Sequence, residues 1–341
     1  MATAKKLPSG MWRIQAYLGK DTNGKPIRAS FTAPTKKEAE LQAAQYVAEN
    51  QRYDFRNITV EDAIDRYIAA KTPVLSPSTI RAYRSYQRNY YGGIGHMPIS
   101  KLNTEEMQLF VSSMVGTVSN KTIHNAYGLL SSAIALFRPD KVFRVTLPTK
   151  KATRRESPSD GVVRELYEKA GPELQKCIAL AAFGSLRRGE ICALKHQDVT
   201  GQAVHVHADM IMDEHGDWIY KDIPKTAESN RVVYLPQEVI DLLGDGVDDE
   251  YIISISPSRV SDRFIKLRER LGLHGVRFHD LRHYYASIGA VLGIPDTYLS
   301  QFGGWRSDSP VMKSIYQNVI SCEQQKFSQA MNAHFSGVIK G

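Results

Sequence analysis

The chain has 341 residues, which is enough for two or three domains, because single hydrophobic cores rarely grow beyond about 250 to 300 residues. Its content of 42% hydrophobic and 23% charged residues is typical of a folded globular protein and excludes a low-complexity chain. The formal net charge of +8 and the pI of about 9.2 favour a polyanionic partner.

The positive charge is concentrated in the N-terminal part of the chain. Residues 1–150 contain 21 lysines and arginines against 11 acidic residues, whereas residues 151–341 contain 23 against 25. The whole excess therefore belongs to the N-terminal part. We expect residues 1–150 to bind a polyanion over a wide surface, while residues 151–341 concentrate their cations locally.

The three cysteines, Cys177, Cys192 and Cys322, are odd in number and widely spaced. This pattern predicts neither a disulfide framework nor a CxxC metal site, and it favours a reducing compartment. The first ten residues lack the apolar stretch of a signal peptide, and no apolar run reaches the ~18 residues of a membrane span. We therefore expect a cytoplasmic protein without a membrane segment.

Residues 10–33 alternate apolar and polar side chains on either side of a turn at residues 21–24. The pattern predicts a small antiparallel hairpin with one apolar face, formed by Trp12, Ile14, Ala16 and Leu18. Thr35 then predicts the start of a helix over residues 36–50. Because so small a sheet buries little surface, we expect these residues to form a separate module.

Four helical patterns follow, beginning after Thr59 and then covering residues 76–91, 103–114 and 119–138. The second of them carries a stripe of arginines at intervals of three and four residues, Arg81, Arg84 and Arg88, interleaved with tyrosines. We expect most of these tyrosines to be packing residues. Residues 145–156 show no periodicity and contain several basic side chains, which is typical of a linker.

The C-terminal half contains three stretches with cations suited to binding phosphate. Arg187 and Arg188 begin an apolar run, and Glu190 can fix one of them by an ion pair. Residues 222–236 predict two strands joined by a polar turn, with Lys225 where the first strand gives way to the turn.

The third stretch is a predicted helix over residues 279–292, which places His279 and Arg282 on one face. Arginine presents a planar fork of donors to phosphate oxygens, and histidine can exchange a proton near neutral pH. Taken alone, such a pair more often belongs to a partly buried structural helix.

His205 and His207 alternate on a predicted strand and could suggest a metal site. No third ligand lies at a sensible spacing, so we expect no metal there.

Five motifs follow one another in the order arginine, lysine, His-x-x-Arg, tryptophan and tyrosine, within FGSLRRGE, DIPKTAES, HDLRHYY, FGGWRSD and VMKSIY. In this order they resemble the catalytic domain of the tyrosine recombinases of the phage-integrase family. The resemblance covers roughly residues 150–335.

The resemblance implies the transfer of a DNA strand to a tyrosine and then to a new 5′-hydroxyl. Tyr316 would be the nucleophile and would form a 3′-phosphotyrosyl bond. Arg187 and Arg282 would bind the non-bridging phosphate oxygens. Lys225 would protonate the leaving 5′-oxygen. His279 would accept the proton of the nucleophile or donate a hydrogen bond to the phosphate.

Trp305 occupies the position where many members of the family have a second histidine. Its indole N–H can donate a hydrogen bond but cannot carry a proton, so we expect it to orient the phosphate. The implied reaction needs no metal and no other cofactor.

Two of these assignments have competitors. Arg188 competes with Arg187, but in the family's usual G-L-R pattern the arginine directly follows the leucine, which favours Arg187 after Leu186. Ser185, inserted between Gly184 and that leucine, departs from the pattern.

Tyr284, Tyr285 and Tyr298 are alternative nucleophiles by residue type. Tyr316 is favoured because it follows Trp305 at about the distance found in the family.

The resemblance divides the chain into an arm-type DNA-binding domain at 1–56, a helical core-binding domain at 57–145, a basic linker at 146–156, and a catalytic domain with a C-terminal tail helix at 157–341. The expected fold class is multidomain α+β. It combines a small N-terminal three-stranded sheet plus helix, a helical bundle, and a mixed, mainly helical domain with a small sheet.

The same resemblance supplies candidate DNA contacts for each part of the chain. In the arm-type domain they are Arg13, Lys20, Lys25 and Arg28. In the core-binding domain they are Arg81, Arg84, Arg88, Lys121, Thr122 and His124. In the linker they are Lys150, Lys151, Arg154 and Arg155.

The partners implied are double-stranded DNA with core and arm sites, further copies of the chain in a homotetramer held by the tail helix at 321–335, and an excisionase or host DNA-bending factor. The implied function is the integration and excision of a mobile element or phage genome. A type IB topoisomerase shares this chemistry, but the N-terminal module and the helical second domain argue against it. A regulator without catalysis is the other alternative, although all six catalytic positions hold competent residues.

Overall fold

The computed structural model describes residues 3–20, 26–51, 58–150, 157–222, 230–305, 328–329 and 331–338. The chain divides into two compact units, residues 1–151 and 152–341. The mixed α+β class and the N-terminal three-stranded sheet confirm the predicted fold class. The finer division into three domains and a linker stays a prediction.

The helices of the first unit are α1 (Lys36–Gln51), α2 (Val60–Lys71), α3 (Pro77–Tyr90), α4 (Thr104–Ser113) and α5 (Asn120–Phe137). Those of the second unit are α6 (Asp160–Lys169), α7 (Pro172–Gly184), α8 (Arg188–Ala193), α9 (Gln237–Leu243), α10 (Pro257–Arg270), α11 (Asp280–Val291) and α12 (Asp296–Gly303). A 3-10 turn covers His196–Asp198, and residues 328–329 and 331–338 are also helical.

The strands of the first unit are β1 (Lys5–Lys6), β2 (Trp12–Lys20) and β3 (Pro26–Ala33). Those of the second unit are β4 (Val199–Thr200), β5 (Ala203–Val206), β6 (Asp209–Met212), β7 (Trp218–Lys221) and β8 (Arg231–Tyr234).

The N-terminal sheet is antiparallel in the order β1-β2-β3, with a register shift between Tyr17 and Gly19. Its apolar face forms a small core with helix α1, made by Ala4, Ile14, Ala16, Ala33, Ala39 and Ala43. Alternation along the strands leaves the opposite face to solvent. The predicted hairpin is confirmed, although nothing is described of the Leu18 side chain.

Helices α2 to α5 enclose a separate apolar core, whose largest fully buried side chains are Ile64, Ile68, Ile99, Leu102, Met107, Ile123, Leu130 and Ile134. Thr59 starts α2 through a capping box with Asp62, as its sequence predicts. Tyr91 is buried and its hydroxyl donates a 2.7 Å hydrogen bond to the Ala126 carbonyl. The tyrosines described around α3 thus pack in the bundle, as expected.

The first residues of the predicted linker are fastened to this bundle. The Gln108 side chain exchanges two hydrogen bonds with the Thr146 backbone, at 2.8 and 3.2 Å. The His124 Nε2 lies 2.9 Å from the Pro148 carbonyl oxygen. These contacts fix residues 146–148 along α4 and α5, while residues 151–156 lie outside the described part of the chain.

The second unit is built around helix α7, which is apolar on nearly all sides and packs against α6, α8, α9, α10 and α11. Strands β4, β5 and β8 form one antiparallel sheet and β6 and β7 form another. The two strands predicted on either side of Lys225 therefore pair in different sheets, although they are joined only by residues 222–230. None of the described helices is long and apolar enough to span a membrane.

Helix α7 ends at Ser185, which has a φ of 57° and lies in the left-handed region. This residue stands directly before the Leu-Arg pair, where the G-L-R pattern has a glycine. Its side chain is fully buried, and its hydroxyl has no hydrogen-bond partner among the described residues. The departure from the pattern is therefore a serine in a backbone position that favours glycine.

The substitution Ser185→Gly is expected to raise the free energy of unfolding by about 0.5 to 1 kcal/mol. Glycine removes the strain of the left-handed backbone, and this gain outweighs the added conformational freedom of the unfolded chain. Urea denaturation would measure it. Ser185→Ala is the matched control, because it removes the hydroxyl but keeps the β-carbon. Equal stability of the two variants would show that strain is not the cause.

Candidate active site

A buried carboxylate, that of Glu190, forms the centre of a cluster of arginines, and its side chain is 4% exposed. Arg231 donates to both of its oxygens, at 2.9 and 3.3 Å. Arg187 donates from its guanidinium at 2.6 Å and from its backbone N–H at 2.7 Å. Arg282 Nη1 lies 4.0 Å away. The predicted ion pair between Glu190 and one of the two adjacent arginines is thus present, with Arg187.

This arrangement fixes the protonation state of the carboxylate. Burial alone would raise the pKa of Glu190, but the charge and hydrogen bonds of Arg231, together with Arg187 and Arg282, lower that pKa to about 2. Glu190 is therefore ionised at neutral pH. It offsets part of the charge that three guanidinium groups bring into the interior.

Arg282 is the largest fully buried side chain of the described residues. It projects from the first turn of α11 and donates to the backbone carbonyls of Ser185 and Gly303. Burial, followed by the charge of Arg187, lowers its pKa well below the ordinary value. Its Nε is buried and has no hydrogen-bond partner among the described residues.

Trp305 places an aromatic ring against this guanidinium. The Arg282 Cζ lies 4.3 Å from the ring centroid, and Trp305 is 8% exposed. A β-carbon at Gly303 would overlap the indole ring, so only glycine permits this packing. Trp305 therefore orients the guanidinium through a cation–π contact. Sequence analysis assigned it a direct role toward the phosphate, and that role stays a prediction.

Arg231 belongs to the same cluster, although no sequence motif pointed to it. Its side chain is 3% exposed. It also donates to the Phe302 carbonyl at 2.9 Å and to the Ser185 carbonyl at 3.2 Å. The available signal was an arginine at the start of the apolar strand RVVYL, since a charge pointing into a core needs a partner.

The side chains of the adjacent residues Arg187 and Arg188 contact different parts of the structure. Arg187 joins the cluster, and its Nη2 donates to the Gly304 carbonyl at 2.8 Å. Its side chain keeps 35% of its surface exposed. Arg188 instead donates to Ser261 on α10. The geometry thus agrees with the choice of Arg187 over Arg188, although its catalytic role stays a prediction.

His279 lies at the N-terminus of α11, with its ring centroid 5.0 Å from that of His283. Desolvation by surrounding atoms, followed by the positive charges of His283, Arg282 and Arg277, lowers the pKa of His279 to about 4, although part of its side chain reaches solvent. The imidazole is therefore neutral at pH 7 and able to accept a proton.

Asp209 is a second acidic group beside the cluster that sequence analysis did not single out. Burial and the nearby charge of Glu190 raise its pKa to about 6. A β-carbon at Gly189 would overlap its carboxylate. Strand β6 packs closely against α8. Gly189, the glycine of the sequence RRGE, is required for this close approach.

Two predicted catalytic residues, Lys225 and Tyr316, lie outside the described residues. Of the alternative nucleophiles, Tyr284 donates a 2.9 Å hydrogen bond to Asp160, and burial with this contact raises its pKa to about 12. Burial also raises the pKa of Tyr285. Both are poorly prepared to become phenolates. Tyr298 is 55% exposed on α12.

The candidate DNA contacts of the predicted arm-type domain include Arg13 and Arg28, which lie on the solvent face of the N-terminal sheet. Arg13 Nε donates to Ser30 Oγ at 2.6 Å on the same face. Lys20 ends β2, and nothing is described of its side chain. Lys25 lies outside the described residues.

The candidates of the helical bundle and the linker have different surroundings. Arg81, Arg88, Lys121 and Lys150 are exposed. Arg84 forms an ion pair with Asp65 on α2, Thr122 bonds to the helix cap Ser119 at 2.8 Å, and His124 bonds to the Pro148 carbonyl. Lys151, Arg154 and Arg155 lie outside the described residues. The structure thus gives Arg84, Thr122 and His124 internal contacts, which the sequence pattern did not predict.

The substitution Glu190→Gln is expected to destabilise the protein at neutral pH and progressively less as the pH falls. The pKa of Glu190 is lowered in the folded state, so its stabilising contribution is complete above about 4.5 and is lost as the pH falls toward about 2. The shift corresponds to roughly 3 kcal/mol. Urea denaturation of both proteins at stepped pH would measure the difference.

Glu238→Gln, at an exposed position of α9, is the matched control and is expected to change little at any pH. A difference between wild type and Glu190→Gln that does not depend on pH would contradict the electrostatic account.

Comparison with known proteins gives a full-length relative. A tyrosine recombinase XerC-like protein of Caldanaerobacter subterraneus subsp. tengcongensis is 26% identical over 381 residues, covering 95% of this chain and 96% of that protein. An integrase of Saccharopolyspora erythraea is 26% identical over 134 residues, which cover 33% of this chain and 30% of that protein. No family model matches the chain.

Solved structures show the same fold. The integrase of the transposon Tn1549, in complex with transposon right end DNA, has a TM-score of 0.61 at 14% identity and covers 80% of this chain and all of that one. A lambda integrase dimer bound to a core site has a TM-score of 0.56 at 18% identity, and the match covers 92% of this chain and 94% of that one. A lambda integrase tetramer on a Holliday junction gives 0.57 with the same coverage.

The relative matches nearly the whole chain, the fold is that of integrases, and the motifs stand in the family's order. The chain is therefore similar over nearly its whole length to a tyrosine recombinase, and it has the fold of integrases.

Proposed function

We propose that this protein is a site-specific DNA recombinase that cuts and rejoins DNA strands through a 3′-phosphotyrosyl intermediate at Tyr316. The observation that carries the proposal is the arrangement of Arg187, Arg282 and Trp305 around Glu190, with the neutral His279 at the start of the same helix as Arg282. The reaction class is that of the family, and the residue roles are our assignment.

Arg187 and Arg282 are the groups that bind the scissile phosphate. Negative charge spreads over the non-bridging oxygens as the phosphate becomes five-coordinate, and fixed guanidinium donors stabilise that charge. The Arg187 side chain is 35% exposed, and Arg282 lies beside it, with its Nη1 4.0 Å from the shared partner Glu190. Glu190, Arg231 and backbone carbonyls hold both in place, so little reorganisation is needed during the reaction.

Cleavage requires two proton transfers, one to His279 and one from Lys225. Tyr316 attacks phosphorus as its hydroxyl proton passes to the neutral His279, and the bond from phosphorus to the 5′-oxygen breaks. That oxygen takes a proton from Lys225 and leaves as a 5′-hydroxyl. Rejoining reverses both transfers with the 5′-hydroxyl of another strand. The phosphotyrosyl bond conserves the energy of the phosphodiester, so no nucleotide cofactor is required.

Double-stranded DNA is the proposed substrate, and the basic excess of the first 150 residues supports it. Residues 1–56 would bind arm sites, while the helical domain at 57–145 and the linker at 146–156 would bind core sites next to the catalytic domain. The DNA complexes of the Tn1549 and lambda integrases support this by analogy.

The assembly and biological role are proposed on the same basis. Lambda integrase forms a tetramer on a Holliday junction, and we assign this chain a homotetramer joined by its C-terminal tail. The described tail residues, 328–329 and 331–338, are all exposed, which leaves them open to a neighbouring copy. The role is integration and excision of a mobile element or phage genome, assisted by an excisionase or host DNA-bending factor. The similar proteins above are recombinases and integrases, which favours this over a topoisomerase or a regulator.

Tyr316→Phe is expected to abolish the covalent protein–DNA adduct while leaving DNA affinity nearly unchanged, because it removes only the attacking oxygen. A denaturing gel with labelled DNA from the flanks of the coding region would detect the adduct. Tyr298→Phe, at an exposed tyrosine of α12, is the control and should retain it. Adduct formation by Tyr316→Phe would place the nucleophile elsewhere.

The double substitution Arg13→Ala with Arg28→Ala is expected to weaken arm-site binding and to lower the slope of log K against log salt by about two, if each arginine contacts one phosphate. Cleavage of isolated core sites should be unchanged. Filter binding across salt concentrations would measure the slope.

The control for this pair is Lys36→Ala with Lys37→Ala, which removes the same charge from the exposed start of α1. An equal loss in both double variants would mean that total charge, and not the face of the sheet, determines arm binding.

A further inference from the structure

Residues 143–149 lie along the helical bundle without regular secondary structure, and we call this segment the strap. Its side chains alternate in exposure. Phe143, Val145 and Leu147 are half-buried and pack against the core of the bundle, while the two residues between them are exposed. Because the bundle covers its apolar side chains, the strap is part of the folded bundle.

Side chains of α5 bond to backbone carbonyls of the strap. The pairs are Tyr127 with Phe143 at 3.3 Å, His124 with Pro148 at 2.9 Å, and Asn120 with Thr149 at 2.7 Å. Residue numbers fall along the helix as they rise along the strap, so the strap runs antiparallel to α5. Its last residue therefore lies beside the first turn of that helix.

The last of these bonds restrains the backbone of Lys150. A peptide unit is planar, so the Thr149 carbonyl oxygen lies in one plane with the nitrogen and the Cα of Lys150. The hydrogen bond that Asn120 donates to this oxygen thus restrains the Lys150 Cα directly. Lys121 is the residue that follows Asn120 on the helix. The two lysines therefore extend from neighbouring points of one surface.

Neither lysine has a carboxylate partner among the described residues. In that part of the first unit, the ion pairs join Arg84 to Asp65 and Arg138 to Asp140. Both lysines are exposed, and the first turn of α5 contains no acidic residue. Two neighbouring cations repel each other, and an anion between them offsets that repulsion. The surface is therefore suited to an anion from solution.

We propose that Lys121 and Lys150 together bind one DNA backbone phosphate, and that Asn120 is a positioning residue that holds Lys150 at this site. The inference rests on the proposed function, because it takes double-stranded DNA as the ligand. Lysine is a compact positive charge suited to phosphate, and such contacts fix the orientation of a protein on the duplex without reading its sequence. His124 holds the strap in the same way, in place of the DNA contact that its sequence position suggests.

The first experiment asks whether the two lysines share a phosphate. Each neutralised phosphate contributes about 0.9 to the slope of log K against log salt. Filter binding across salt concentrations would use full-length Tyr316→Phe protein, which lacks the proposed nucleophile. The probe is the labelled duplex on which the wild type forms its covalent adduct.

The double variant Lys121→Ala with Lys150→Ala, made in that background, is expected to lower the slope by about one, because one shared phosphate is lost. A decrease of about two would mean two separate phosphates, and an unchanged slope would mean no phosphate contact. Either result overturns the shared site. Lys36→Ala with Lys37→Ala removes the same charge from α1 and should keep the slope. Since both strap-site lysines are exposed, their replacement carries little risk to folding.

The second experiment is a double-mutant cycle for the positioning role. Lys150→Ala and Asn120→Ala are each expected to weaken binding about tenfold, the equivalent of one charge-assisted hydrogen bond. The two together should also cost about tenfold, because Asn120 acts only through Lys150. Asn125→Ala is the matched control and should leave the affinity unchanged. It removes an exposed asparagine of the same helix that donates to the Tyr86 hydroxyl at 3.0 Å.

Two results would overturn the positioning role. Losses from Asn120→Ala and Lys150→Ala that multiply to about a hundredfold would mean that Asn120 acts independently of the lysine. Wild-type affinity of Asn120→Ala would mean that its bond to the strap does not hold Lys150 in place. In both cases the wild type would still form its adduct at Tyr316, so the recombinase function would stand. A wild type that forms no adduct would overturn the proposed function together with the inference that depends on it.

Discussion

A single buried carboxylate determines how the arginines of this site are arranged. Three guanidinium groups cannot share an apolar interior without a counter-charge, because each would lose its hydration without compensation. Glu190 supplies the counter-charge, with a pKa lowered to about 2. Backbone carbonyls of Ser185, Phe302 and the two glycines before Trp305 supply most of the remaining acceptors. The result is a set of cations whose positions are fixed before any phosphate arrives.

The same contacts connect elements that are distant in sequence. Ser185 ends α7, Arg231 begins β8, Arg282 belongs to α11, and the acceptor glycines end α12. Each proposed catalytic arginine therefore depends on the packing of several elements, since a displacement of one would leave buried donors without acceptors. This explains why the cluster sits at the edge of the main core, where helix ends expose free carbonyls.

Sequence patterns predicted the motif residues because their spacing reflects local structure. His279 and Arg282 share a helical turn, and Arg187 follows the turn at the end of α7. Arg231 and Asp209 were missed because their importance arises from burial beside Glu190, which no local pattern encodes. Arg84 and His124 had a basic or polar helix pattern, but their partners come from other segments. Likewise, the pattern around Lys225 predicted two strands but could not indicate that β7 and β8 pair in different sheets.

The most direct test of the central claim concerns the charge of the scissile phosphate. Cleavage by wild type and by Arg187→Ala would be compared on ordinary DNA and on DNA with a neutral methylphosphonate at the scissile position. If the arginine cluster stabilises developing negative charge, the variant should lose on the order of 10² to 10³ in rate on ordinary DNA and far less on the neutral substrate. An equal loss on both substrates would contradict this account and would assign Arg187 a structural role only.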